Sequence, residues 1–192
     1  KIGTEGTEAI THINTSFDGK YISICERNVE GEKGLVTIYE IISSKKRQTL
    51  PDAPDQANRF KSNEFVCSAF SQRREEFIVT LCGAPDWQIL MWDWEKCRLL
   101  SQVSVGLNIP QGMKPYVFQL SFNPMDFEGN SMLLTGPCNT FKYIRKDPEY
   151  NLIIEHTQIN NMDQGKKISP NFTCHSWSQE TGHILVCTDN GE

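Results

Sequence analysis

No apolar run in this chain approaches the ~20 residues that a bilayer-spanning helix needs, and no secretory leader is expected. Basic charge is in deficit. Lys and Arg number 19 against 24 Asp and Glu, for a net charge of -5. That balance gives no general attraction to nucleic acid or to an anionic membrane, so neither is expected as a partner. The one dense basic run, Lys45-Lys46-Arg47, is short and reads as a solvated turn. Signatures of catalysis are missing as well. There is no Gly-rich phosphate loop and no Gly-x-Ser-x-Gly, so no enzyme and no cofactor are expected.

Cysteine pairing is also absent from the pattern. The chain has seven cysteines, an odd number, and no Cys-x-x-Cys. Cys25, Cys67, Cys82, Cys174 and Cys187 lie in apolar, strand-like runs, where a reduced thiol behaves as a small buried hydrophobe. A reducing compartment is expected, not a disulfide framework. Cys174, His175, His183 and Cys187 have the chemistry of metal ligands. Because Cys174 and His175 are neighbours on a strand, they point to opposite faces, and no metal site is expected. The sequons Asn14-Thr15-Ser16 and Asn171-Phe172-Thr173 fall in expected strands and read as unused.

What the sequence does contain is a repeat. An alternating strand leads to a polar turn and a second apolar strand at Ile13–Ile24, Val66–Leu81 and Val117–Gly136, and again from Phe172 to Cys187. The turn residues Ser16, Ser71, Asn123 and Ser178 recur every 52 to 55 residues. Third strands follow at Leu35–Glu40, Ile89–Trp94 and Phe141–Arg145, and outer strands near Arg47–Leu50, Arg98–Val103 and Leu152–Thr157. Four short strands per unit, repeated radially, is how a propeller keeps its sheet edges short. The middle unit holds the Trp92-Asp93 dipeptide of the WD repeat; Tyr39-Glu40 and Ile144-Arg145 stand in the other two places.

The expected fold is all-β, part of one WD-repeat β-propeller spanning residues 1–192. Its blades lie near 10–50, 65–103 and 117–157, with an incomplete blade at 171–192. About three and a half blades fall short of the four to eight that close a ring. The rest is expected outside this segment, and the segment alone should be poorly soluble. Helix should be nearly absent between residues 60 and 145, and Trp92 should be buried.

Several motifs narrow the reading. They are Ser16-x-Asp18-Gly19-Lys20-Tyr21, Gly83-Ala84-Pro85-Asp86-Trp87 ahead of Trp92-x-Trp94, Val117-Phe118-Gln119-Leu120-Ser121-Phe122-Asn123-Pro124, and His175-x-Trp177. In this order the set resembles the cilia- and flagella-associated WD-repeat proteins, over roughly Thr7 to Glu192. The resemblance implies a non-catalytic axonemal scaffold with tandem propellers and a long C-terminal coiled coil. Its implied partners are inner dynein arm and regulatory complex components, other cilia- and flagella-associated WD proteins, and the doublet microtubule surface. A WD adaptor outside cilia, in transport or ubiquitin-ligase recognition, is the alternative. This chain departs from the family pattern in its loops: Gln72-Arg73-Arg74-Glu75-Glu76 replaces a Pro-Asp-Gly turn, and residues 51–63 are long.

Aromatic residues in propeller rim loops often anchor partners. The connection holding Asp86 and Trp87 lies on the upper rim, and the loop from Pro51 to Asn63, with Arg59 and Phe60, is placed beside it. Trp87, Asp86, Arg59 and Phe60 are therefore the candidate partner-binding residues. Trp87→Ala is expected to weaken docking more than folding, and Trp92→Ala the reverse. The competing reading folds Trp87 back onto its own blade.

Overall fold

The residue that sets the repeat period is also the one that closes each turn. In the computed structural model, which describes residues 5–110, 117–155, 171–178 and 180–191, Ser16 Oγ accepts from Tyr21 N at 2.9 Å. Ser71 Oγ accepts from Arg74 N at 3.1 Å, and Asn123 Oδ1 from Met125 N at 3.0 Å. Ser178 Oγ accepts from the Thr181 hydroxyl at 2.8 Å. Short polar side chains hydrogen-bonding to nearby turn groups are the physical reason Ser and Asn recur there. In the first turn Gly19 takes φ +71, a conformation in which a Cβ would be strained.

Each turn joins two antiparallel strands, and the strands form radial sheets. The first sheet is β1 (Thr7–Thr15), β2 (Tyr21–Asn28), β3 (Leu35–Glu40) and β4 (Lys46–Leu50). The second is β5 (Phe65–Phe70), β6 (Phe77–Cys82), β7 (Gln88–Asp93) and β8 (Arg98–Ser104). The third is β9 (Gln119–Phe122), β10 (Ser131–Gly136), β11 (Thr140–Lys146) and β12 (Leu152–Glu155), and β13 (Phe172–Trp177) pairs with β14 (Ile184–Thr188). The first strand of each sheet lies beside the first strand of the next. Those strands line the axis, and the sheets are blades. Residues 156 and 157 of the expected third outer strand lie outside the described residues. Among the described residues the single helix is α1 (Pro54–Ala57), one turn long.

Burial follows from a blade's neighbours. Every residue of β5 and β6 is buried, because blade 2 is covered on both faces and needs no polar face. Its two faces enter two cores. Phe65, Phe70, Ile78, Leu90 and Trp92 pack with Val36, Ile38 and Leu50 of blade 1. Val79, Leu81, Ile89 and Met91 pack with Leu120, Met132 and Leu134 of blade 3. Trp92 is fully buried, as expected, and its Nε1 donates to Thr80 Oγ1 at 3.0 Å. Cross-strand register puts Ile24 of blade 1 and Leu134 of blade 3 in the place of Thr80, so those blades have no hydroxyl for this bond.

The strands at the axis have a further device. Asn14 Oδ1 accepts from Phe70 N and His12 Nδ1 from Ser68 N, each at 3.3 Å, and Thr11 Oγ1 donates to the Phe65 carbonyl. Gln119 repeats this between blades 3 and 4, accepting from His175 N at 2.8 Å and donating to its carbonyl at 2.9 Å. Side chains of one inner strand thus satisfy the backbone edge of the next, which would otherwise be open to pairing.

One sequence expectation needs correction here. Cys25, Cys67 and Cys82 are buried, and burial pushes the Cys25 and Cys82 thiols up to about 12. Cys174 and Cys187 are exposed. They sit opposite each other on the face of β13–β14 that turns away from blade 3. Strand-like hydrophobicity marks an element but not whether a neighbour covers both of its faces.

Candidate partner-binding rim

Antiparallel order puts the β2–β3, β6–β7 and β10–β11 connections at one end of the axis, called the upper end. The turns that follow the first and third strands of each blade lie at the lower end. In the β6–β7 connection Gly83 N donates to the Glu64 carbonyl and Trp87 N to the Gly83 carbonyl, each at 3.0 Å, forming a tight loop. Asp86 Oδ2 accepts from Lys61 N at 2.6 Å and from Ser62 N at 2.8 Å. The loop from Pro51 to Asn63 is therefore at the upper rim only in its second half. Its first half leans on the β7–β8 turn, where Gln56 Nε2 donates to the Cys97 carbonyl at 2.7 Å.

The structure corrects the roles of the two rim aromatics. Trp87 is 6% exposed and belongs to the core between blades 2 and 3. Its ring meets Phe118 with centroids 5.5 Å apart. Gly136 makes room for this pair, since a Cβ there would lie 2.3 Å from Phe118 Cδ1. Trp87 also adopts φ +45, a left-handed conformation costing a bulky side chain about 1–2 kcal/mol, which packing must offset. Phe60 is buried too, edge-on to Phe65 at 5.3 Å, with Lys33 Nζ 5.7 Å from its centroid. Neither ring is offered to a partner. Asp86 is half-buried, with its carboxylate spent on two backbone N–H groups, and Arg59 alone of the four candidates is exposed. Trp87 folds inward as the competing reading had it, but onto the neighbouring blade.

His175, considered in the sequence for its metal-ligand chemistry, has a different role. It is buried against blade 3, where its Nε2 pairs with Ser121 Oγ at 2.6 Å and its Nδ1 with Thr135 Oγ1 at 2.7 Å. Trp177 Nε1 donates to the same Ser121 hydroxyl at 2.8 Å. Both ring nitrogens are used in the seam, and Cys174 points the other way. The sequence held no signal for this network, because the partner hydroxyls lie 40 and 54 residues away.

Burial lowers the His175 pKa from 6.5 to about 4. The folded state therefore favours the neutral ring. The stability this contributes is complete above about pH 6.5 and is lost as the pH falls towards 4, to a total of about 1–3 kcal/mol. Melting of the full-length protein between pH 7 and 4 should show the loss, and His175→Gln should flatten it. An unchanged slope in the variant would assign the acid sensitivity elsewhere.

Radial four-stranded antiparallel blades, joined inner strand to inner strand, make the chain part of a WD-repeat β-propeller. No family model matches the sequence. Cilia- and flagella-associated protein 57 A of Tetrahymena thermophila is 25% identical over 138 residues, which are 69% of this chain and 10% of that protein. The chain spans about a tenth of that relative's length. The motifs of the sequence are most similar to the N-terminal propeller of the same protein, cilia- and flagella-associated protein 57. Among solved structures, the β-propeller domain of Cps50 (Swd1) from Myceliophteria thermophila superimposes with a TM-score of 0.64 at 12% identity, over 97% of this chain and 50% of that one. A chain of the mitotic checkpoint complex gives 0.64 at 13% identity, over 95% and 47%. A protein from Lactobacillus plantarum gives 0.58 at 11% identity, over 94% and 48%. At these identities the structural likeness concerns the fold alone. The covered share of each matched chain, about half, is that of a partial propeller.

Proposed function

We propose that this chain is part of a non-catalytic scaffold of the ciliary axoneme. Its propeller docks proteins of the inner dynein arms and regulatory complexes on the doublet microtubules and so supports ciliary motility. The observation that carries this reading is the similarity to cilia- and flagella-associated protein 57 A over 69% of the chain, joined to a propeller fold. Propellers present short loops on a rigid ring, a geometry suited to holding partners. Residues 1–192 are read as one part of a propeller, with blades near 10–50, 65–103, 117–157 and 171–192. Tandem propellers and a coiled coil belong to the same reading of the full-length protein. At the upper rim, Arg59 is the candidate left open to a partner.

Localisation of the tagged full-length protein tests this. Retention in the axoneme after detergent extraction is the expected result. A pool wholly released by detergent, or found away from cilia, overturns the reading and favours an adaptor outside cilia.

A further inference from the structure

We propose that the lower face of the propeller, along the row Phe17–Arg73–Phe127, docks a protein segment that alternates carboxylates with apolar side chains. The inference rests on the scaffold reading and adds the surface and the chemistry of its partner. Turn tips are ordinarily polar. On this face Phe17 is 76% exposed, Phe127 71% and Ile42 92%, with Ile41 and Met125 also exposed. All five lie in turns at the lower end, where they add nothing to either core. Grouped exposed apolar side chains of this kind mark interaction surfaces.

The row is continuous. Phe17 and Gln72 line the same concavity of about 330 Å³ at the lower mouth of the axis, together with Phe70, Leu120 and Phe122. Next to Gln72, Arg73 stacks its guanidinium over the Phe127 ring at 4.6 Å and donates to the Pro124 carbonyl at 3.4 Å. Among the described residues Arg73 makes no ion pair. It is a cation held in place by an aromatic face, exposed, with donors left for an incoming carboxylate. Holding it there in advance lowers the ordering cost of binding. At the outer margin of this face Arg47 of β4 pairs with Glu40 at 2.7 Å, and Lys45 stands near the same carboxylate. A guanidinium without an ion pair, set between two exposed rings, favours a segment that brings a carboxylate to Arg73. The exposed rings and the concavity favour one that also carries apolar groups.

The test titrates full-length protein with a labelled peptide of alternating Glu and Phe, a version with Lys for Glu, and polyglutamate. The Glu-Phe peptide should bind best. Its affinity should fall at least tenfold in Arg73→Glu and in the Phe17→Ser/Phe127→Ser double variant, and hold in Lys61→Glu at the upper end. All four positions are exposed, and circular dichroism confirms that each variant is folded. Equal binding of the Lys-Phe peptide or of polyglutamate overturns the proposal, as does unchanged binding in the lower-face variants. Axonemal retention is followed in parallel. Retained protein with no lower-face dependence sinks this surface alone. Protein that is not retained, but binds the peptide through Arg73, supports the surface and sinks the axonemal reading.

Discussion

Trp92→Ala should cost about 3–5 kcal/mol of folding stability, the range for emptying a large buried site. The side chain is completely buried between blades 1 and 2, and its removal also strips Thr80 of its partner in a place water does not reach. A single domain has only about 5–15 kcal/mol in total. The variant should therefore appear as a loss of soluble full-length protein and a clearly earlier melt. Trp92→Phe, which keeps most of the packing and loses the hydrogen bond, should cost about 1–2 kcal/mol. Trp92→Ala melting alongside the wild type would show that the seam between blades 1 and 2 does not hold the ring together.

Trp87→Ala should behave similarly, with a loss of about 3 kcal/mol. The two tryptophans are five residues apart and serve opposite faces of one blade, Trp92 towards blade 1 and Trp87 towards blade 3. The contact with Phe118 gives a sharper test than the single variant. Trp87→Ala, Phe118→Ala and the double variant form a cycle, and a tilted aromatic pair at 5.5 Å should couple by about 0.5–1.5 kcal/mol. Additive losses would mean that the pair does not act as a unit. If Trp87→Ala left stability untouched and still weakened axonemal retention, the ring would be a partner anchor after all.

The blades were legible because their signals are local. Alternation places strands, and a short polar side chain at Ser16, Ser71, Asn123 or Ser178 closes a turn through atoms a few residues away. The upper rim is not legible, for the opposite reason. Trp87 sits in a loop by sequence, and loops read as surface, yet its ring is placed by Phe118 and by the missing Cβ of Gly136, far along the chain. The same holds for His175, whose partners come from another blade, and for Cys174 and Cys187, whose exposure depends on what covers a face. The exposed row on the lower face had a faint trace in the sequence, an aromatic at Phe17 inside an otherwise polar turn. The stacking of Arg73 on Phe127 and the concavity that Phe17 shares with Gln72 need three blades in position.

The acceptor residue that opens the turn after each first strand is constant in role, but the stretch after it is not. Four residues separate Ser16 from Tyr21, five separate Ser71 from Phe77, and seven separate Asn123 from Ser131. The flanking strands pair in the same way in all three cases. Length and lettering at the tips are thus uncoupled from the architecture, since a longer surface loop adds little closure entropy. Related propellers can acquire insertions there, and with them new partners, while every blade keeps its register. Sequence drift among relatives should concentrate at this end of the axis and spare the Ser or Asn that begins each turn.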